Sequence, residues 1–146
     1  MESKAISNID RRILDQLGKD ARLSWRELGE RVHLSSTSAA ERVRAMERRG
    51  IIRGYQVVVD PAALGKDVRA VIDVGLPPAM NPDDFEAKLA LRPEVTFAAY
   101  VTGKADYTVL VDCAGAEGLD VFIRWLKTDA GVANTESKVV LRGVSG

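Results

Sequence analysis

The sequence predicts an α+β chain in which an N-terminal winged helix-turn-helix is joined to a C-terminal ferredoxin-like βαββαβ domain. Three observations carry this. The first sixty residues place apolar side chains at helical spacing, with a short capped helix feeding another helix through a hydroxyl-rich turn. Near Pro61 the pattern changes to strand-like alternation. From there alternating and helical runs follow one another in the order β-α-β-β-α-β. The expected domains are residues 1–60 and 61–146.

Each element has its own signal. Ile9, Ile13, Leu14 and Leu17 form one apolar helix stripe. Ser24 followed by Glu27 is a capping box, so a second helix starts there, turns Leu28 and Val32 inward and ends near "HLS". A third helix begins within Ser35–Ser38 and runs to about Arg49, where Gly50 stops it. "IIRGYQVVVD" is β-branched and alternating, and predicts a strand over 51–60. "PAALGKD" is a linker with Pro61 and Gly65 as breakers. Val68, Ala70, Ile72, Val74 and Leu76 alternate as a strand, and Phe85 and Leu89 mark a helix. Val95, Phe97, Ala99 and Val101 alternate, as do Tyr107, Val109, Val111 and Cys113, with "TGKAD" as the turn between those strands. Leu119, Phe122, Ile123 and Leu126 give a second helix, and residues 132–142 a closing strand.

Composition limits the functional classes. The chain of 146 residues is 46% hydrophobic and 29% charged, the balance of a soluble globular protein. No run reaches the ~20 apolar residues of a membrane span, and "MESKAISNID" has no apolar export signal, so a cytoplasmic protein without membrane partners is expected. Cys113 is the only cysteine and falls in an apolar strand, where a buried structural thiol is expected. His33 is the only histidine, so no ordinary zinc site is expected, and no cofactor. Net charge is zero, yet residues 1–60 carry +3 and residues 61–146 carry −3. Five arginines fall in the twelve residues from Arg42 to Arg53, a local excess that points to a polyanion.

"LSSTSAAERVRAMERRGII" sharpens that reading. One hydroxyl suffices to cap a helix, whereas four stand in a row from Ser35 to Ser38. On a helical wheel Ala40, Val43 and Met46 face the core. Thr37, Ser38, Glu41, Ala45 and Arg48 lie opposite, with Arg42 and Arg49 at one edge. A recognition helix enters the DNA major groove N-terminus first. Small hydroxyl residues there let the backbone approach, and arginines behind them meet phosphate or guanine. The expected DNA contacts are Ser36, Thr37, Ser38, Glu41, Arg42, Arg48 and Arg49. The alternative is an over-capped helix with a solvated basic face.

The βαββαβ order puts both helices on one face of the sheet. The other face is expected to carry Val71, Ala98, Tyr100, Leu110 and Val140, mixed with Thr108 and Lys138. It is too apolar to stay wet, and a ~60-residue unit buries only about 60% of its unfolded surface. Two sheets stacked face to face in a homodimer would cover it.

The motifs "IDRRIL", "DARLS", "ELGERV", "LS" before "ERV", "GIIRGY" and "DPAALG" resemble the DNA-binding half of the Lrp/AsnC, or feast/famine, family. "VTGKADYTVLV" and "VVLRGV" resemble its effector-binding and oligomerising half, so the likeness spans nearly the whole chain. It implies a transcription factor that binds double-stranded DNA, dimerises, assembles into tetramers or octamers, and takes a small effector, commonly an amino acid, between dimers. By the family pattern the effector turn is "TGKAD", with Thr102, Gly103, Lys104 and Asp106, and Thr135 and Ser137 beside it on the last strand. Hydroxyls and the Gly103 amide would meet a carboxylate, and Asp106 an ammonium. Gly103 and Asp106 also read simply as the positive-φ residue and cap of a hairpin. The chain departs from the family in having "SSTS" where prolines are frequent, and Ala105 where an aromatic often precedes the Asp. Two rival functions share parts of this plan: a tetrapyrrole decarboxylase of the sirohaem branch on the same fold, and an amino-acid sensor without DNA contact.

Overall fold

The computed structural model describes residues 5–144, and the chain divides into two compact units between Val58 and Val59. The first holds three helices: α1 (Asn8–Lys19), α2 (Trp25–Val32) and α3 (Ser36–Arg48). Ile13, Leu28, Val32, Ala39, Val43 and Met46 interlock as its core, with Ile9, Leu14 and Leu17 packed at the edge. Each helix start is fixed by a serine. Ser7 accepts from the Asp10 N–H, Ser24 forms the reciprocal capping box with Glu27, and Ser35 accepts from the Ser38 N–H.

The turn between α2 and α3 is tight. His33 takes the left-handed conformation at φ 60°, and the chain folds back close on α2. A Cβ at Gly29 would lie 2.5 Å from the Leu34 carbonyl oxygen, so only glycine admits this approach. The end of α3 is a Schellman motif: Gly50 at φ 68° donates to the Glu47 carbonyl, and Ile51 to that of Met46.

The strand expected over 51–60 does not form. Residues 53–60 have no regular secondary structure, and Val57 and Val58 are 80% and 97% exposed. The segment has strand composition but no ladder neighbour among the described residues, and a strand without a partner leaves its amides unpaired. Tyr55 anchors its start by donating to Glu47 at 2.9 Å.

The second unit opens with a 3₁₀ turn (Pro61–Leu64), capped by Asp60. It continues with β1 (Val68–Gly75), α4 (Pro82–Ala90), β2 (Val95–Tyr100), β3 (Tyr107–Cys113), α5 (Gly115–Thr128) and β4 (Asn134–Val139). The sheet is antiparallel in the order β2-β3-β1-β4, the ferredoxin-like arrangement. Both helices cover one face: Phe85, Leu89, Phe122 and Leu126 pack on Ala70, Ile72, Val74, Tyr107, Val109 and Val111. Cys113 is buried in this core, and burial, followed by the nearby Glu94 and Asp112, pushes its thiol pKa up.

The uncovered face departs from the expectation at β2. Register slips between Val95 and Phe97, so that Phe97 stands opposite Leu110 and Ala99 opposite Thr108. The extra residue, Thr96, turns its hydroxyl to the Leu110 carbonyl. A one-residue slip reverses every following side chain. Ala98 and Tyr100 therefore lie on the helix side, where Tyr100 packs on the Tyr107 ring at 5.1 Å. Phe97 and Ala99 replace them on the open face, beside Val71 and Leu110, which pair across β1 and β3. Val140 follows β4 and donates its N–H to the Arg69 carbonyl, which keeps it on that face.

Candidate nucleic-acid interface and ligand cleft

In the first unit the hydroxyl cluster divides its labour. The Ser35 hydroxyl is spent as the α3 cap and also donates to Ser38 Oγ at 2.9 Å. Ser36 and Thr37 are exposed at the first two helical positions, where backbone N–H groups have no intrahelical acceptor. Two hydroxyls and the positive end of a helix thus face solvent together, which is an anion-binding arrangement.

The arginines behind them are not equivalent. Arg42 donates to Asp10 Oδ1 at 3.0 Å, and Asp10 is buried, so this guanidinium ties α3 to α1. Arg49 donates to the Ala5 carbonyl at 3.0 Å. Arg48 is exposed and makes no such bond among the described residues. Arg44, which the sequence reading left out, is exposed beside Glu41 and over the Trp25 ring, 5.9 Å from its centroid. Its signal was present in the spacing: Thr37, Glu41, Arg44 and Arg48 fall at i, i+4, i+7 and i+11, one stripe of a helix. Of the sequence-derived candidates, Thr37, Ser38, Glu41 and Arg48 share the outer face, and Ser36, exposed in the first turn, lies on the stripe of the buried Ala40 and Val43. Arg42 and Arg49 flank it with their guanidinium groups engaged inside the unit.

In the second unit a cleft of about 540 Å³ opens at one end of the sheet. Its walls include Asp73, Thr102, Lys104, Thr108, Thr135 and Glu136. The turn after β2 supplies Thr102 and Lys104, and Gly103 there has φ 115°. Within the walls Asp73 accepts from Thr108 Oγ1 at 2.8 Å and from Lys138 Nζ at 2.7 Å. The Lys138 hydrogen bond, then that of Thr108, holds the Asp73 carboxyl below the usual carboxylate range, so it is ionised at neutral pH. Lys138, bonded to Asp73, is held above its usual range.

Gly103, Asp106 and Ser137 do not line this cleft. Asp106 Oδ2 accepts the Leu76 N–H at 2.7 Å, its own N–H goes to Val74, and its carbonyl takes the Val101 N–H. It braces the turn. Ser137 stands opposite Ile72, on the side of β4 away from Glu136 and Lys138. The carboxylates that face the cleft, Asp73 and Glu136, pair across β1 and β4 and were not singled out from sequence. A polar residue interrupting the run "VRAVIDVG" was the only sign of Asp73, and Glu136 had none.

Comparison with known proteins agrees with both halves. Residues 6–53 match the family described as winged helix-turn-helix DNA-binding, and residues 69–145 match the Lrp/AsnC ligand binding domain. The chain is 32% identical to the HTH-type transcriptional regulator LrpA of Mycobacterium tuberculosis, over 95% of this chain and 92% of that protein. It is 35% identical to the regulatory protein AsnC of Escherichia coli, over 97% of this chain and 94% of the relative. Among solved structures it superposes on a Neisseria meningitidis transcriptional regulator in complex with L-methionine. That match has TM-score 0.92 at 28% identity and covers 97% of this chain and 94% of the other. It also superposes on the feast or famine regulatory protein of Mycobacterium tuberculosis complexed with L-methionine, with TM-score 0.90 at 32% identity, covering 97% and 96%.

Proposed function

The chain belongs to the Lrp/AsnC family of transcriptional regulators, and we propose that it binds double-stranded DNA through α3 and adjusts that binding to an amino acid held in the cleft. The observation that carries the DNA half is the outer face of α3. Free hydroxyls at its N-terminus lead into exposed Glu41, Arg44 and Arg48, all positioned by a buried opposite face. Residues 1–60 act as the DNA-binding domain, and residues 61–146 bind effector and oligomerise.

For the effector, the chemistry is that of a zwitterion. Asp73 and Glu136 present negative charge for an ammonium, while the Thr102 and Thr135 hydroxyls offer donors to a carboxylate. Lys104 adds a cation at the rim. Asp106 contributes by fixing the turn that carries these groups. Charge-assisted bonds of this type, roughly 1.5–3 kcal/mol each, give micromolar to millimolar affinity once ordering costs are subtracted.

The open face with Val71, Phe97, Leu110 and Val140 pairs with its copy in a homodimer, and dimers assemble to tetramers or octamers. Among the described residues no helix is long and apolar enough to cross a membrane, and a DNA-directed role favours a cytoplasmic location. The relatives are regulators, which favours regulation over the decarboxylase alternative. The test is duplex affinity measured against salt. Contacts to several phosphates give a log–log slope of about −0.9 per contact. A shallow slope for wild type, or full affinity in a Thr37→Asp variant, contradicts the assignment of α3.

A further inference from the structure

One arginine on the outer face of α3 is held from two sides. Arg44 Nη1 lies 3.4 Å from Glu41 Oε1, and its Cζ lies 5.9 Å from the centroid of Trp25. Trp25 is the first residue of α2 and is 39% exposed, so a large aromatic ring sits at the surface next to the recognition helix. The side chains of Arg44 and Glu41 are themselves more than half exposed. Such a long, solvated ion pair contributes little to folding, and both groups stay available to better partners. What the arrangement does achieve is orientation. A ring beneath a guanidinium limits the directions in which its planar fork points, and lysine has no such fork. By contrast, Arg42 and Arg49 on the flank have their guanidinium groups bound within the unit.

The fork of arginine matches O6 and N7 of guanine, and a glutamate accepts from the N4 amino group of cytosine. Three residues apart on a helix, the two side chains are offset by ~4.5 Å along its axis, close to the ~3.4 Å spacing of stacked base pairs. Resting on the assignment of α3 to the major groove, we propose that Glu41 and Arg44, braced by Trp25, are its specificity pair. Together they select a cytosine and a guanine at neighbouring base pairs of each half-site.

The experiment is selection of bound duplexes from a random library by the full-length protein and by Arg44→Ala, Arg44→Lys, Glu41→Ala and Trp25→Ala variants, with far-UV circular dichroism as the folding check. Wild type is expected to return a motif containing a C·G and a G·C pair side by side. Arg44→Ala should flatten the guanine position alone and lower affinity for the best site roughly 5- to 150-fold, with little change on unrelated duplex. Arg44→Lys should not restore it, Glu41→Ala should flatten only the cytosine, and Trp25→Ala should weaken the guanine preference. If Arg44→Ala instead weakens all sequences equally and lowers the salt slope by about one, Arg44 is a phosphate contact and the inference fails, while α3 keeps its role. An unchanged motif overturns it as well. Failure of wild type to retain any duplex overturns the assignment of α3 itself. Should Arg44→Ala lose helical signal, Arg44→Gln carries the same comparison.

Discussion

Replacing Arg42 with alanine removes a guanidinium 3.0 Å from the carboxylate of Asp10, whose side chain is only 10% exposed. The loss is asymmetric. Without Arg42 the carboxylate is left in a largely dry site with no cation, whereas without Asp10 the half-exposed guanidinium is rehydrated. Breaking a fully buried pair costs about 3–5 kcal/mol, and a surface pair is worth at most about 1. Arg42 is 42% exposed, so Arg42→Ala should cost about 1–3 kcal/mol. Asp10→Ala should cost less, roughly 1 kcal/mol, part of it the lost interaction of an anion with the first turn of α1. The double variant should then be no worse than Arg42→Ala alone, a coupling of about 1 kcal/mol. Native-state hydrogen exchange of α1 and α3 amides reads these values in the full chain. DNA titrations separate the roles: Arg42→Ala should keep the wild-type salt slope, and Arg48→Ala should lower it by about one. Unchanged amide protection together with a lowered slope in Arg42→Ala would refute the internal role and return Arg42 to the DNA surface.

Gly29→Ala would ordinarily gain about 1 kcal/mol inside a helix. Here the methyl meets the Leu34 carbonyl at 2.5 Å, so a net loss of about 1–2 kcal/mol and weaker DNA binding are expected; a raised melting temperature by circular dichroism would contradict the tight turn. Phe97→Glu and Leu110→Glu should split the proposed homodimer in light scattering because they charge the open sheet face, whereas Tyr100→Glu should leave the oligomer size unchanged; the reverse ranking would put Tyr100 back on the open face. Cys113, buried with its thiol pKa raised, should resist a water-soluble disulfide reagent at pH 8 and react fully in urea; rapid native reaction would show that the core opens there.

Local chemistry made most of this fold readable. The Ser24–Glu27 box, Gly50 and the two apolar periods marked helices and strands because each signal lies within a few residues of the element it sets. What escaped reading depends on neighbours. The segment 51–60 has strand composition, but strand formation needs a second strand, which composition does not provide. The slip at Thr96 is one residue long, invisible in an alternating run, and it moved Ala98 and Tyr100 to the other face. At the candidate sites the helical wheel found the outer face of α3. It could not show that Asp10, thirty-two residues away, claims Arg42, nor that Trp25 holds Arg44. In the cleft the family pattern located the turn, while Asp73 and Glu136 became visible only when β1 and β4 paired.

Fluorescence anisotropy of an operator duplex in the presence of each of the twenty amino acids tests directly whether one chain couples DNA contact to amino-acid binding. At least one amino acid should shift the apparent DNA affinity by about 5- to 150-fold, the usual range of coupling between sites. A Thr135→Val, Glu136→Gln variant should abolish the shift while keeping the affinity of the ligand-free protein. No shift with any amino acid, or an undiminished shift in that variant, would contradict coupling through this cleft.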